Sequence, residues 1–465
     1  MGRAALNANT TGDDNVALGY GSLAANTTAS NNTAVGVSAS NANTTGTGNV
    51  GIGRSALQSN TTGHYNTAVG YGSLNANTTS NNNTGIGYEA LNANTTGTTN
   101  TAVGYKALKA NTTSHYNTAV GYEALYAQTT GSQNSALGLN ALHDCTTGSY
   151  NTAIGVEAGR NLTTGSSNTI VGRNACDSDL QGDNNVAVGV FALRAATTAN
   201  FNTAIGAYAL DANTTADQNT AVGYSALEQC TTGAYNTALG HEALEECTTG
   251  TYNTCLGRLA GDSITTGYQN TAVGALAGDN VTTGYNSIYI GDNAGNTHAT
   301  GNSCIYVGRA TDCSSTSVDD EYVFGTGLGG KGGGTFYAGG VNGSYNQDNN
   351  SAWLTTSDRR IKKNITDFNT GLSIINQLQV KNYEYKTEDE IKTDNPELTD
   401  VVKSAVVNKT GVQIGLIAQE AEAVSSGFVK TASTGIKGLD TNDMFWYMLN
   451  AIKELSAKVT ALEAK

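Results

Sequence analysis

A repeat of 17 residues constrains the fold of this chain more than any other feature of its sequence. A typical unit, NTAVGYGSLNANTTSNN, begins at Asn66, and sixteen such units follow one another without insertion or deletion. Their opening asparagines stand at positions 15, 32, 49, 66, 83, 100, 117, 134, 151, 168, 185, 202, 219, 236, 253 and 270. Two further units are read at a spacing of 16, opening at Asn286 and Asn302. One unit buries too little surface to fold alone, so the units are expected to form a cooperative stack.

The columns of the repeat predict which side chains point inward. The fourth column is always branched and apolar, as at Val69, Ile86 and Leu137, and is therefore predicted to be buried. The third column is usually alanine, and the second is threonine or valine, which both favour strands. The fifth column is glycine in all sixteen copies, from Gly19 to Gly274, which predicts a sharp corner with positive φ or a close approach of two chain segments.

A later column of the repeat predicts a buried ladder of asparagine amides. It holds Asn60, Asn77 and Asn94, but other copies place Cys145 or Leu162 at the same position. A column that exchanges asparagine for leucine and cysteine points inward, and a buried amide needs hydrogen-bond partners, such as the amide of the next copy. Short strands, corner glycines and a fixed period together predict a coil of parallel β-strands stacked about 4.8 Å apart.

The composition argues against several classes of function. Only 13% of the residues are charged, and a net charge of −14 argues against nucleic acid as a partner. We expect no membrane insertion, since no apolar stretch approaches the roughly 20 residues of a span. We expect assembly in a cytoplasm, because the chain starts in repeat sequence without the features of a signal peptide. The seven cysteines form no metal-binding pattern, and Cys145, Cys230 and Cys247 share one column, so we predict buried thiols, no metal and no cofactor.

The unit NTAVGYGSLNAN resembles the head repeats of trimeric autotransporter adhesins, which carry a Val-Ala-Ile-Gly-like core. The resemblance covers residues 1 to about 309 and implies a trimeric parallel β-roll, left-handed in that family, although the period here is longer than is usual there. We therefore expect a mostly β chain. Residues 1–309 would form an elongated trimeric β-roll or solenoid shaft, and residues 310–356, which are rich in glycine, would form a neck or linker.

At residue 357 the period ends, and lysine, glutamate and isoleucine become more frequent. The motifs that follow are TSDRRIKKNI at 356–365, YEY at 383–385 and GLIAQE at 415–420. In this order they resemble the endosialidase-type intramolecular chaperones of peptidase family S74, over residues 357–465. Members of that family trimerise, guide the folding of the β-structured fibre before them and then cut themselves off. The resemblance implies an α+β chaperone domain after the shaft.

The resemblance also implies a cleavage site. The scissile bond would join Thr356 to Ser357, with Ser357 as the nucleophile, Lys362 as the general base, and Asp358 and Asn364 in orienting roles. A lysine acts as a base only when its amine is neutral, and free lysine titrates near about 10.4, so burial or neighbouring cations must lower its pKa. Trimer assembly would supply that burial and so couple cleavage to folding. A plainer interpretation of the same residues is a helix start with Ser357 or Asp358 as N-cap.

The last segment, about 441–463, has the pattern of a coiled coil. Its apolar residues are spaced 3, 4, 3, 4 and 3 apart: Phe445, Met448, Ile452, Leu455, Val459 and Leu462. Isoleucine or valine at a with leucine at d favours a dimer by general rules, so the prediction of a homotrimer rests on the family resemblance. The alternative is a single helix that packs on its own domain.

These features predict a phage tail-fibre or tailspike protein of the virion. Its only expected enzymatic activity is one self-cleavage in cis, and its expected partners are two further copies, other virion tail proteins and a host cell-surface receptor, most simply a glycan. One alternative is a bacterial trimeric surface adhesin. Another is a polysaccharide depolymerase, which would need paired carboxylates. The repeat offers one acidic column for that role: Glu89, Glu123, Glu157 and Glu242.

A row of tyrosines follows the corner glycine and supplies the candidate receptor contacts. Its members are Tyr71, Tyr88, Tyr105 and Tyr122. Aromatic rows can stack on sugars, but they also stabilise sheets as cross-strand ladders. Both interpretations stay open from the sequence alone.

Overall fold

The computed structural model describes residues 2–339, 344–347, 359, 362–394, 411–431 and 437–464. Its contacts divide the chain into two compact units, Met1–Thr355 and Thr356–Lys465. The first unit is built from short strands, and the second from short helices, two small strand pairs and one long helix.

The first unit is a β-solenoid with one short strand in each turn. Each strand from β1 to β18 pairs in parallel with the next, and partners lie 17 positions apart, as Thr67 lies opposite Thr84. The predicted parallel coil of 17-residue turns is thus confirmed. The strands are β1 (Val16–Leu18), β2 (Thr33–Val35), β3 (Val50–Ile52), β4 (Thr67–Val69), β5 (Thr84–Ile86), β6 (Thr101–Val103), β7 (Thr118–Val120), β8 (Ser135–Leu137), β9 (Thr152–Ile154), β10 (Thr169–Val171), β11 (Val186–Val188), β12 (Thr203–Ile205), β13 (Thr220–Val222), β14 (Thr237–Leu239), β15 (Thr254–Leu256), β16 (Thr271–Val273), β17 (Ile288–Ile290), β18 (Ile305–Val307), β19 (Tyr322–Gly325), β20 (Thr335–Gly339) and β21 (Ser344–Gln347).

The strands bury their middle residue and expose the two residues beside it. Successive side chains of a strand point to opposite faces, so a three-residue strand can bury either its centre or its flanks. Ala102 is fully buried, whereas Ile86 is 38% exposed and Leu137 is 50% exposed. The prediction that the fourth column is buried is therefore wrong. In most turns a leucine from the bend after the strand, such as Leu91, fills the narrow interior and leaves room for little more than a methyl group.

Two ladders of buried asparagines run along the coil. In the predicted ladder, Asn60 Nδ2 donates to Asn43 Oδ1 at 2.9 Å and to a carbonyl oxygen three residues later at 3.0 Å. This prediction is confirmed. The opening asparagines form a second ladder that the sequence analysis did not recognise as buried: the Asn83 backbone N–H donates to Asn66 Oδ1 at 3.0 Å. Each amide is satisfied by the next turn, which avoids the cost of an unpaired buried polar group.

The corner glycines meet both predicted requirements. Gly104 has a φ of 142°, and a Cβ placed on it would lie 2.1 Å from the carbonyl oxygen of Gly121. Only a residue without a side chain combines this conformation with so close an approach of successive turns.

The 17-residue register continues further than the asparagine pattern indicated. Strands β17 and β18 keep the offset of 17 from their neighbours, and Ser287 and Cys304 occupy the opening position of the unit. The Cys304 N–H donates to Ser287 Oγ at 3.1 Å, in the place of an asparagine rung. The predicted units at Asn286 and Asn302, with a spacing of 16, are therefore wrong. A small polar side chain can replace asparagine in the ladder, and a search for asparagine alone misses it.

Strand pairing also extends into the glycine-rich segment. Strand β19 pairs in parallel with β18, β20 pairs in parallel with β19, and β21 is antiparallel to β20. Near this end of the coil Glu321 is fully buried. Its carboxylate accepts hydrogen bonds from the Tyr306 hydroxyl at 3.1 Å and from the Gly332 N–H at 2.6 Å, so the buried charge is compensated.

The seven cysteines are free thiols, and six of them are buried. Cys145, Cys230 and Cys247 lie in the first asparagine ladder, as predicted for small buried residues. Burial raises the pKa of the Cys145 thiol to about 12, which keeps it protonated and unreactive.

The second unit surrounds a small core of its own. Its helices are α1 (Leu372–Ile375), α2 (Glu388–Asp394), α3 (Ala418–Val424) and α4 (Thr441–Glu463), with a 3₁₀ turn at Ser426–Phe428. Antiparallel pairs join β22 (Lys381–Tyr383) to β23 (Gln413–Gly415) and β24 (Val429–Thr431) to β25 (Lys437–Leu439). The core is formed by Ala421, Phe428 and Met444, with Tyr447 packed against them.

Helix α4 has two apolar faces, and the described residues cover only one of them. Met444 and Ala451 are buried, whereas Ile452 is 65% exposed and Leu462 is 70% exposed. The predicted helix is confirmed, and it does pack on its own domain through one face. Pairing of its exposed seam in a coiled coil stays a prediction. Within the described ranges, no helix combines the length and apolarity needed to cross a bilayer.

Candidate functional site

The predicted cleavage segment is only partly covered by the structure. Thr356, Ser357 and Asp358 lie outside the described residues. Lys362 is described, and its backbone N–H donates to the Arg359 carbonyl oxygen at 3.3 Å. The geometry between the predicted nucleophile and base therefore stays untested, as does the interpretation of the segment as a helix start.

Lys362 and Asn364 have exposed side chains in the single chain. Asn364 adopts a left-handed backbone with φ 54°, a conformation that asparagine tolerates well and that turns the chain after Lys362. The described part of the chain does not bury the Lys362 side chain. Whether assembly buries it stays a hypothesis.

The segment after Asn364 is anchored on helix α4. The Phe368 ring meets the Tyr447 ring edge to face with centroids 4.7 Å apart, and Asn450 Nδ2 donates to the Phe368 carbonyl oxygen at 2.5 Å. Tyr447 also meets Phe428 of the core at 5.1 Å. Phe368 therefore fixes this segment on α4. The predicted base, Lys362, lies six residues before that contact.

A surface groove of about 740 Å³ lies beside this anchor. It is lined by Asp367 and Phe368 from the segment and by Trp446, Asn450 and Lys453 from α4. Trp446 is 56% exposed, so a large aromatic surface faces this groove and is not covered by the described residues.

A comparison with protein families finds a match in the second unit. Residues 357–430 match the family model of the chaperone of endosialidase, peptidase S74. The matched region begins at Ser357, the predicted nucleophile, and ends before α4. The identification of an endosialidase-type chaperone segment behind a repeat shaft is thereby confirmed. No curated protein and no solved structure matches the chain significantly.

The candidate receptor residues form a continuous stack on the first unit. The rings of Tyr71, Tyr88, Tyr105 and Tyr122 follow one another with centroid distances of 5.3, 5.3 and 5.0 Å and interplanar angles of 10 to 12°. Lys106 Nζ lies 4.9 Å from the Tyr105 ring centroid and adds a cation–π contact.

This stacking decides which part of each ring a ligand can reach. A sugar normally lies on an aromatic face, but both faces of Tyr88 and of Tyr105 are covered by neighbouring rings. The rings are nevertheless 38 to 48% exposed, through their edges and hydroxyl groups. The geometry fits the cross-strand ladder directly, and it offers a ligand a row of phenol hydroxyls rather than a stacking platform.

The acidic column considered for depolymerase activity lies beside lysine, arginine and histidine side chains. Each of its four carboxylates lies close to a basic side chain: Glu89 to Lys109, Glu123 to Lys106 and His143, Glu157 to Arg160, and Glu242 to His241. Carboxylates paired with different partners in successive turns are typical of a solvated charged face. These contacts give no positive sign of the two facing carboxylates that glycoside hydrolysis uses.

Proposed function

We propose that this chain is a phage tail-fibre or tailspike subunit whose C-terminal segment assembles three copies and then releases itself by cleavage between Thr356 and Ser357. The Ser357 hydroxyl attacks the Thr356 carbonyl carbon while Lys362 takes the hydroxyl proton. The Thr356–Ser357 C–N bond then breaks as that proton passes to the Ser357 nitrogen, and water hydrolyses the resulting ester to leave a carboxylate on Thr356 and a free hydroxyl on Ser357. The mature product is a trimeric shaft that sits in the virion and contacts the host surface.

One observation carries the proposal: a segment that matches the chaperone of endosialidase follows directly on a long repeat solenoid. A coil of near-identical turns has no unique pairing between chains, because a slip by one turn replaces each residue with its equivalent. A separate unit that fixes three chains at one end removes this ambiguity.

Mass analysis of the expressed full-length chain tests the cleavage. We expect a fragment that begins at Ser357, together with a shaft ending at Thr356. Ser357→Ala should leave the chain intact, because the attacking hydroxyl is lost. Lys362→Ala should slow cleavage strongly for lack of a base, by roughly the 10² to 10⁴-fold typical of general-base removal.

Lys363→Ala is the matched control for the base. Lys363 is also exposed, carries the same charge and lies next to Lys362. Cleavage of the Lys363 variant at the wild-type rate would support the assigned base. An intact wild-type product, or equal cleavage in the Ser357 variant, would contradict the proposal.

Removing the tyrosine hydroxyls distinguishes receptor binding by the tyrosine row from a purely structural role, because the rings alone maintain the stack. Phenylalanine at Tyr88 and Tyr105 keeps the stack and removes two hydroxyls from the reachable edge. If a glycan or other host receptor binds there, adsorption to host cells should fall while the melting temperature stays unchanged. Unchanged adsorption would leave the row as a structural ladder. No observation supports the adhesin or the depolymerase alternative as strongly as the chaperone match supports the tail-fibre proposal.

A further inference from the structure

One face of the solenoid carries an unbroken row of aliphatic side chains, here called the outer apolar row. It is made by the third residue of each strand from β1 to β18. Its members are Leu18, Val35, Ile52, Val69, Ile86, Val103, Val120, Leu137, Ile154, Val171, Val188, Ile205, Val222, Leu239, Leu256, Val273, Ile290 and Val307. At about 4.8 Å per strand the row extends over about 80 Å.

No member of the row is buried in the single chain: the isoleucines and all leucines but Leu256 are exposed, whereas the valines and Leu256 are half-buried. Leu18 is 56% exposed, Leu137 is 50% and Ile154 is 42%. None of the three residues in any strand from β1 to β18 is charged, so no ionised group interrupts this face. Its exposed area is on the order of 1,000 Å², more than the roughly 300–600 Å² of the largest apolar patch on a typical monomer and comparable to the roughly 800 Å² that each partner buries in a standard interface.

The repeats themselves show that this position is under a packing constraint. Across eighteen turns the row accepts only valine, isoleucine and leucine. The column two residues further along, also on the outside, accepts tyrosine, valine, arginine, leucine, histidine, alanine and aspartate. A side chain that faces only water has no reason to be restricted to branched aliphatics, so the row is restricted as a core position would be.

We propose that the outer apolar row is covered by the same row of other copies of this chain, which lie parallel and in register. The period is the reason for naming this occupant. A partner that covers the whole row must present apolar groups with the same spacing as the eighteen strands. A second copy of this chain has such a row, because its sequence is the same. Equivalent residues, such as Leu137 of each copy, then meet along the contact, where compact side chains fit.

The inference rests on the self-association in the proposed function and adds the surface through which the shafts meet. In full-length protein we would replace Leu137 and Ile154 by glutamate. Both are exposed in the single chain, so the carboxylates leave an isolated coil intact, but they become buried like charges if copies meet there. The matched control replaces Thr113 and Thr130, which are exposed at another position of the turn, by glutamate.

Native mass measurement gives the first result. We expect the wild type and the threonine control to have the same native mass, equal to several chains. The Leu137/Ile154 variant should have a smaller native mass, equal to fewer chains. An unchanged mass in that variant would overturn the inference and leave the proposed function standing. A wild-type shaft that is monomeric would overturn both.

A cross-linking experiment covers the case in which the double variant does not fold. Leu137→Cys in the full-length chain should form a disulfide between copies when oxidised with copper phenanthroline, and denaturing electrophoresis should show chains linked in pairs. Thr113→Cys should stay unlinked, because that position faces away from the contact. An oligomeric shaft without a Leu137→Cys cross-link would overturn the inference.

Discussion

At the scale of single residues, the core of the solenoid keeps its volume by paired exchanges. Most turns place a leucine in the bend and an alanine in the following strand, as at Leu142 and Ala153. One turn later the bend has Gly159 and the strand has Ile170, and a Cβ on Gly159 would lie 2.9 Å from the Ile170 Cδ1 atom. The larger strand residue occupies the space that the missing leucine leaves. Interiors packed this closely tolerate exchanges that conserve volume better than single changes.

This exchange predicts strong coupling between the two positions. Ile170→Ala should destabilise the chain by about 2–4 kcal/mol through a cavity, and Gly159→Leu by about 1–3 kcal/mol through overpacking. The double variant restores the leucine–alanine arrangement of the previous turn, so it should be more stable than the sum of the two changes predicts by more than about 1 kcal/mol. Urea denaturation of all four proteins measures this coupling, and simple additivity would contradict the compensation.

A second residue-scale prediction concerns pH. Asp262 is half-buried, and its Oδ1 atom has no hydrogen-bond partner among the described residues. Burial, with Glu245 and Glu246 nearby, raises the pKa of Asp262 to about 7. A carboxyl whose pKa is higher in the folded state stabilises the fold below pH of about 4, and this contribution is lost as the pH rises through about 7.

Asp262→Asn should therefore raise the melting temperature at pH 8, with a gain on the order of 1 kcal/mol after allowance for solvent screening. At pH 5 the gain should be smaller, because Asp262 is then largely protonated in the folded state. Asp14→Asn, at an exposed position, makes the same change in net charge and serves as the control. Equal gains at both pH values would show that the carboxyl does not titrate in this range.

At the scale of elements, the sequence predicted the strands and one of the two asparagine ladders, but not the second ladder or the direction of the strand side chains. Three sequence features each indicate one structure: the fixed period of 17, the corner glycine, and the asparagine column that tolerates Cys145 and Leu162. A strand of three residues is ambiguous, because side chains point alternately to the two faces, and either the central residue or the two outer residues can be buried. Only the size of the cavity left by the bend leucines decides this, and that size depends on how turns stack.

The corner glycine is the element-scale feature with the sharpest test. Gly104→Ala would place a methyl group 2.1 Å from a backbone oxygen in a positive-φ conformation, so adjacent turns would have to separate. We expect a loss of about 3 kcal/mol or more, at or above the upper end of what single substitutions usually cost. Gly329→Ala, where a Cβ has nothing within 4 Å, should leave the melting temperature nearly unchanged. A tolerated Gly104→Ala would mean that the turns are not held as close as described.

At the scale of the whole molecule, the two units pose different problems for sequence reasoning. The shaft is predictable because each turn repeats the same contacts. The predicted cleavage residues Ser357 and Lys362 rest only on resemblance, because no pattern of spacing distinguishes a Ser-Lys pair from a helix start. The same repetition that makes the shaft predictable also makes the alignment between chains degenerate, because one-turn slips preserve almost every local contact.

That degeneracy leads to a prediction about refolding. Under the proposed cleavage, Ser357→Ala keeps the chaperone segment attached, whereas the wild-type shaft loses it. After complete denaturation and dilution, the uncut variant should regain its original native mass and a single melting transition. The purified wild-type shaft should give mixed masses and a broad transition, because nothing then fixes the register of the chains. Light scattering and calorimetry on both samples measure the difference. Equal recovery of the two would mean that the shaft aligns itself, and the C-terminal unit would then need another purpose.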